Sequence, residues 1–535
     1  MTCKTPGRAA KLALLVSLVL CPAAFASATS AEETSEGPVA VVTADPASQV
    51  DLHNVTEVQS PAPPAGVLID RPTVPLARYL AAKQGSSGGQ RPGAPEESAP
   101  LATNILGFNG ITQATAGGGV PPDINGAVSL VHVAEIVNLH LTSFLKSNGS
   151  RTSDRSLAAI TGYTTKSLTD PRLLYDPTWQ RWVASVEALP ENSTTQFVFL
   201  LISKSNDPGG EYLVYKLNFG PVLCGAGNLL DYPQLGMTQD AVVLTGTCFS
   251  SAEVLGARTF GVAKAQLYNG LGFSVPVFKI ATADGTVTPS QVLDNNPNME
   301  LLTRNGPTGE ASAPHDVTFK NPANGFYAKL TPDKELTGFT TPSIPPAAGQ
   351  KGCKTTECQL DTSDGRFVAP STQTGTQLWN VATYGSKTTE GTFATPTWAQ
   401  FNTKSKTTTQ KGTAFSDSCS DDFNASLVAQ TNGSMWLNWT STDPEGRLCS
   451  ATFVRQRIAT RKSTDPVGTL PSVIKPFTSS FELTGDFQKS FGRQRWGDTS
   501  STSLDPSNPA IAWTWNESVA GSSNWGTRAQ EVSNP

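Results

Sequence analysis

The 535-residue chain is short of charge and of the side chains that most often carry chemistry. Charged residues are 16% of it, against about 25% in an ordinary globular protein. Ser, Thr, Asn and Gly fill the difference, and only four histidines and four methionines occur. The net charge of −5 is spread out, with no run of Lys or Arg. A phosphate backbone needs a concentrated cationic footprint, so nucleic acid is not an expected partner. H-E-x-x-H, G-x-x-x-x-G-K and G-x-G-x-x-G are all missing, which removes zinc-protease, phosphate-loop and dinucleotide chemistry. His315-Asp316 near Ser312 is the one fragment of a Ser-His-Asp arrangement, and nothing completes it. After the first residues, no apolar run reaches the length of about 20 residues that a membrane span needs.

What is present starts with a secretion leader. Lys4, Arg8 and Lys11 precede the apolar stretch Leu12 to Leu20, and Ala24-Phe25-Ala26 offers a small-x-small cleavage site. Residues 1–26 are therefore expected to be a bacterial signal peptide, and the mature chain a secreted, extracellular monomer. Six cysteines remain: Cys224, Cys248, Cys353, Cys358, Cys419 and Cys449. An even number in an exported chain favours disulfides over metal ligation. Nearest-neighbour pairing is the simplest of the possible connectivities. Residues 27–103 are rich in Ala, Pro, Ser and Gly, as in PAPPAG from Pro61. Such composition buries little apolar surface, and a disordered spacer is expected. Within it, the run from Val67 to Lys83 could hold a helical turn or a docking strand.

From residue 104 onward a strand-turn-strand phrase recurs. Copies begin near Ala127, Leu173, Leu235, Val317, Phe367, Leu427 and Ser503. Each has an apolar run, a turn usually rich in Pro, Asn, Asp or Gly, and a second run. The second runs carry Val133, Trp182, Val243, Tyr327, Trp379, Trp436 and Trp513. Repeated strand units of roughly 40 to 50 residues mark radial propellers. The expected fold is all-β, a seven-bladed β-propeller over 104–535 with six blades as the alternative. The last strand is expected to close the ring against a strand near Ile105 to Thr112. The segment AEIVNLHLTSFL from Ala134 reads as two strands, with Glu135 facing solvent. S-x-D-P-x-G-x-φ occurs at Ser205 and at Ser441, and both copies read as turn staples between outer strands.

Acidic residues recur just ahead of the repeats: Asp123, Asp170, Asp231, Asp422 (beside Asp421) and Asp498. Asp361 and Asp364 fit less well in the fifth unit, and Asp294 or His315 poorly in the fourth. In a propeller the strand opening each blade lines the central channel, so these carboxylates should gather at one mouth. Clustered carboxylates raise one another's pKa or hold a cation, and calcium is expected at Asp123, Asp170 and Asp231. They can also serve as acid and base in glycosidic cleavage, for which Asp123 and Asp498 are the candidates. Arg172, Arg493 and Arg495 could bring cationic forks to the same mouth, suited to a carboxylate-bearing ligand. Tyr175, Tyr232, Trp496 and Trp525 could stack on sugar faces. The expected ligand-binding set is Asp123, Asp170, Arg172, Asp231, Tyr232, Asp422, Arg495 and Asp498.

PPDINGAVSLVHVAEIVN from Pro121, DPRLLYDPTWQRWVAS from Asp170 and DYPQLGMTQDAVVLTG from Asp231 resemble widespread secreted bacterial β-propeller proteins. RWGDTSSTSLDPSNPAIAWTWNE from Arg495 and NWGTR from Asn524 resemble their closing blade. The resemblance implies export and a sialidase-like outline. It brings no settled activity, and neither the three-arginine clamp nor the Tyr/Glu nucleophile pair of sialidases can be placed on numbered residues. QVLDNNPNMELLTRNG from Gln291 departs from it by its polarity. The expected function is recognition of an extracellular ligand, a carbohydrate or other surface polymer. A glycoside hydrolase or polysaccharide lyase is the first alternative, and an inert platform for a protein partner the second.

Overall fold

Alternating apolar residues between Pro-, Asn-, Asp- and Gly-rich turns dictate hairpins, and hairpins make up nearly all of this structure. The computed structural model describes residues 37–534, apart from 64–70, 86–87, 92–101, 252, 281–285, 305–312, 341–342, 490 and 522–523. The expected leader over 1–26 lies outside the described residues.

The N-terminal stretch holds β1 (Ala40–Ala44), β2 (Ser48–Asp51), α1 (Leu76–Lys83), β3 (Gly89–Gln90) and β4 (Thr103–Thr112). Sets of antiparallel strands follow. The first is β5 (Asn125–Val128), β6 (His132–Val137), β7 (His140–Leu145) and β8 (Arg151–Ser156). The second is β9 (Leu168–Asp176), β10 (Arg181–Ala188), β11 (Phe197–Ser203) and β12 (Glu211–Asn218). The third is β13 (Leu229–Met237), β14 (Ala241–Phe249), β15 (Val254–Ala263) and β16 (Phe273–Ile280). The fourth is reduced. It has β17 (Val287–Thr288), β18 (Ser290–Val292), β19 (Met299–Arg304), β20 (Pro314–Lys320), β21 (Lys329–Leu330) and β22 (Lys334–Glu335).

The fifth is regular again, with β23 (Ser371–Thr374), β24 (Gln377–Thr388), β25 (Gly391–Asn402) and β26 (Thr407–Thr413). The sixth has β27 (Asp421–Ala429), β28 (Met435–Asp443) and β29 (Thr452–Arg461), edged only by β30 (Ser472–Val473) and β31 (Phe477–Thr478). A small hairpin, β32 (Phe487–Gln488) and β33 (Arg493–Gln494), precedes the final set of β34 (Ser501–Leu504), β35 (Ile511–Ala520) and β36 (Asn524–Ser533). β4 pairs antiparallel with β36 from Thr103↔Ser533 to Thr112↔Gly526 and supplies the outer strand of that last sheet. The expected closure near Ile105 to Thr112 is thus present.

Bonds between successive inner strands trace a closed circle. Leu173 N donates to Asn125 Oδ1, linking β9 to β5. Arg172 Nε donates to Pro233 O, linking β9 to β13. β18 pairs in parallel with both β13 and β23. Ala429 N donates to Thr372 Oγ1, and the Ser426 and Thr502 hydroxyls join β27 to β34. Ser501 Oγ donates to Gly126 O and returns to β5. Apolar cores fill the spaces between consecutive sheets, such as Ile136 and Leu141 against Trp182 and Leu201. Trp513, Trp515 and Trp525 of the last sheet pack with Val128, Val133 and Val137 of the first. The architecture is an all-β propeller. Five complete four-stranded blades stand out against the seven expected, and the fourth and sixth units are reduced.

The repeated phrase is the hairpin between the first two strands in every set except the fourth. There the phrase at Val317 spans β20 and the turn to β21, and Tyr327 is 73% exposed, where Trp182, Trp436 and Trp513 are 0% exposed. The antiparallel pair that opens this set is β17 with β19, connected through β18 and the polar QVLDNNPNMELL, with Met299 and Leu301 buried. AEIVNLHLTSFL forms two strands as expected, but Glu135 is fully buried. Its carboxylate lies at the first-to-last sheet junction, accepting from Ile111 N and the Thr527 hydroxyl. All three disulfides join nearest neighbours: Cys224–Cys248, Cys353–Cys358 and Cys419–Cys449.

The expectation of a disordered spacer is corrected for the described residues of 27–103. β1 pairs along β16, β2 along β12, and β3 runs parallel to β24. A segment too poor in apolar residues to build its own core gains order by completing the edges of existing sheets. Arg91 anchors its end, buried, donating to the Ala394 and Ser420 carbonyls and to Thr395 Oγ1.

Candidate functional site

Several inner strands are entered through a residue in the left-handed region: Asp123 (φ 47°), Asp170 (φ 49°), Tyr232 (φ 60°) and Asn424 (φ 49°). Asp and Asn tolerate this conformation best, because their short side chains bond locally. These residues set the true register between blades. Asp123 and Asp170 occupy equivalent places, Asp231 stands one residue ahead, and Asp422 two ahead.

That offset decides which acids meet. A cavity of about 440 Å³ is lined by Asp123, Asp170, Asp231, Tyr232, Arg495 and Asp498, as expected, and also by Arg71, Lys166 and Arg366. Asp422 is not among them. It is fully buried behind the strand, accepting from Trp439 Nε1 at 2.8 Å and the Ser420 hydroxyl at 2.5 Å. Asp361 and Asp364 instead tie down the N-terminal segment. Asp361 accepts from Tyr79 Oη at 2.6 Å, and Asp364 accepts from the Thr73 amide at 2.7 Å. Asp294 accepts from Gly375 N, and His315 pairs with Asp333, away from the cavity.

Ring closure brings Asp123 and Asp498 side by side. Asp498 N donates to Asp123 Oδ1 at 2.7 Å, and Asn138 Nδ2 donates to Asp123 Oδ2 at 2.6 Å. Asn138 Oδ1 in turn accepts from Asp170 N, coupling the first two blades. Arg495 grips both oxygens of Asp498 at 2.6 Å. Arg71 donates to Asp231 Oδ2 at 2.7 Å, and Tyr232 N to Asp231 Oδ1 at 2.7 Å. Arg366 forks onto Asp364 at 2.8 and 2.9 Å.

The expected roles of other residues are corrected by burial. Arg172 is sealed beneath the cavity, donating to the Pro233 and Val368 carbonyls. Arg493 lies beside Asp361, outside the cavity. Tyr232 is clamped between the Arg172 and Arg366 guanidinium groups, each 5.0 Å from its ring centre. Tyr175, Trp496 and Trp525 are buried, with Tyr175 Oη donating to Asn206 and Trp525 Nε1 to Gly119 O. None of these four aromatics offers a face to a sugar.

Burial and crowding split the acids electrostatically. Burial, then repulsion from Asp498, raises the Asp123 pKa. Burial, then Asp231, raises the Asp170 pKa well above its ordinary value, and Glu187 rises for the same two reasons. Burial acts to raise Asp231 too, but Arg71 and its hydrogen bonds outweigh it and hold that carboxyl low. One carboxylate oxygen from each of Asp170, Glu187 and Asp231 lies within 4.8 Å of the other two. Asp123, expected in that trio, is engaged with Asp498 and Asn138 instead.

Three residues at or beside this cavity were not expected from the sequence. Arg71 arrives from the stretch expected to be disordered. Glu187 sits on the second strand of its blade, whereas the expected acids all open a first strand. Arg366 does follow Asp364, and that D-x-R spacing was the one signal available.

The chain matches no family model and no curated protein. Among solved structures it is similar in outline to the polysaccharide lyase Uly1, with 9% identity, 93% of this chain and 100% of that one covered, and a TM-score of 0.39. It is similar to the GH93 α-L-arabinofuranosidase of Fusarium graminearum at 10% identity, with 77% and 92% covered and a TM-score of 0.34. A protein of unknown function from Dyadobacter fermentans gives 8% identity, 69% and 96% covered, and a TM-score of 0.38. At such values likeness to a solved structure says nothing about chemistry.

Proposed function

We propose that this chain is an exported propeller that binds an extracellular glycan or another hydroxyl-rich surface polymer at the acidic end of its channel. We count the two reduced sheets as blades, which makes seven. The observation that carries the reading is the 440 Å³ cavity, within the usual range of about 300–1,000 Å³ for small-ligand sites, walled by Asp123, Asp170, Asp231 and Asp498. Carboxylates at a cavity wall accept hydrogen bonds from sugar hydroxyls. Arg71 and Arg495 are each committed to a carboxylate of that wall, and Arg366 to Asp364 beneath it. A neutral polyol therefore suits the site better than the acidic sugar an open arginine cluster would favour. Three disulfides and the leader-like N-terminus support an extracellular setting, and the protein is taken as a monomer.

A second reading, a glycoside hydrolase or polysaccharide lyase, draws on the adjacency of Asp123 and Asp498. Both carboxylates are already held, by Asn138 and a backbone amide in one case and by Arg495 in the other, and this favours binding over turnover. A polysaccharide panel assayed for retention and for newly released ends separates the possibilities. Retention without release is the expected outcome. Release of reducing or unsaturated ends establishes the enzyme, and neither result on any polymer leaves the inert platform.

A further inference from the structure

We propose that Asp170, Glu187 and Asp231 together hold a hard divalent cation of the calcium type in the wall of this cavity. The three carboxylates come from different strands, β9, β10 and β13, and two irregularities bring them together. The pairing register shifts between Ser185 and Glu187 on β10, and again between Asp231 and Gln234 on β13. Bulges of this kind re-aim side chains next to functional sites.

The spacing fits a shared ion. Calcium sits about 2.3–2.6 Å from its oxygen ligands, so two ligands on one ion lie no more than about 5 Å apart. The three carboxylates meet this limit pairwise, at 4.8 Å or less.

Glu187 supplies the independent sign of a missing partner. It is 1% exposed, and its Oε1 accepts from Gln196 Nε2 at 2.7 Å, while Oε2 is buried with no hydrogen-bond partner among the described residues. A buried carboxylate oxygen without a donor is costly, and buried charges are ordinarily paired or bound to metal. Charge balance points the same way. Three carboxylates face one guanidinium, that of Arg71 on Asp231, and the remainder matches a divalent ion. The donor set is all oxygen, with neither His nor Cys in the cluster, which selects calcium, magnesium or manganese over zinc or copper.

Asp170 and Asp231 also line the cavity, so the ion would keep an open side towards it. Hydroxyl groups of a bound polymer could complete the coordination there. This use of the ion rests on the glycan reading above, whereas binding of the ion itself does not.

The test is titration of the chelator-treated, full-length protein with calcium chloride, by calorimetry and by thermal melting. One saturable site is expected, with a rise in Tm. Glu187→Gln should weaken calcium binding at least about tenfold, the scale on which losing a metal-site partner acts, while Asp333→Asn, paired with His315 away from the cavity, leaves it unchanged. Should Glu187→Gln show no folding transition, Asp170→Asn replaces it. No saturable binding and no Tm shift overturns the proposal, as does wild-type calcium affinity in a folded Glu187→Gln. Polymer retention, measured separately with and without calcium, keeps the two ideas apart. Calcium binding with no polymer retained removes only the glycan reading. Retention by a protein that binds no calcium removes only the ion.

Discussion

Glu135 is a carboxylate placed where no water reaches, at the seam that closes the ring. Burial pushes its pKa from 4.5 to about 7, even though Thr527 and the Ile111 amide donate to it. An acid that holds its proton longer when folded contributes stability below its unfolded pKa. That contribution is lost as pH rises through the folded value. The shift corresponds to about 3 kcal/mol between pH 4.5 and 7 or above. Glu135→Gln keeps an acceptor for Ile111 and removes the titration. The variant should therefore gain on the wild type by several degrees of Tm between pH 5 and pH 8. Melting curves at both pH values check this, and a constant difference would refute it. Gly126 tests the same seam sterically. A Cβ there would lie 2.2 Å from the Trp515 ring, so Gly126→Ala should cost about 1–3 kcal/mol by overpacking, read as a lower Tm. Alternation in VHVAEIV announced the strand that carries Glu135. Nothing local announced that a second sheet would cover it, because the covering strands are β4 and β36.

At the scale of elements, hairpins were legible and docking was not. A turn signal between two alternating runs is local information, and it located the hairpin between the first two strands in all sets but the fourth. That set misled because VTFKNPANGFYAKL has the right composition for the phrase, while the antiparallel pair that opens the set is joined by an unusually polar connection. The S-x-D-P-x-G turns show the same limit. Asp207 caps the β11–β12 turn through Gly209 N, whereas the second copy begins within the last residues of β28 and leads into the β28–β29 turn, one hairpin earlier in its blade. The N-terminal stretch was opaque for a stronger reason. Its order comes from partners far away in sequence, as Ala40 with Val277 and Gln90 with Lys387 show. Arg91 is the rivet, and its replacement by Ala leaves several buried acceptors without donors. Arg91→Ala should lower stability by about 3 kcal/mol and expose the segment around residues 88–91 to limited proteolysis. Unchanged proteolysis at an unchanged Tm would deny it that role.

For the whole molecule, the ring explains why acids separated by hundreds of residues share one cavity. Each blade presents the start of its inner strand at the same end, and closure sets Asp498 beside Asp123. The convergence of Asp123, Asp170, Asp231 and Asp498 was legible from their place ahead of the repeats. The exclusion of Asp422 was not, since a two-residue offset in register is invisible without the left-handed residue that defines it. Arg71 and Glu187 lay beyond reach for the reasons given by their elements. The central claim is that this convergence makes a ligand site. Its most direct measurement compares wild type with Asp123→Asn/Asp498→Asn for retention on a polysaccharide that the wild type binds, with melting curves to confirm folding. Loss of retention in a folded double variant is the predicted result, and undiminished retention would contradict the claim.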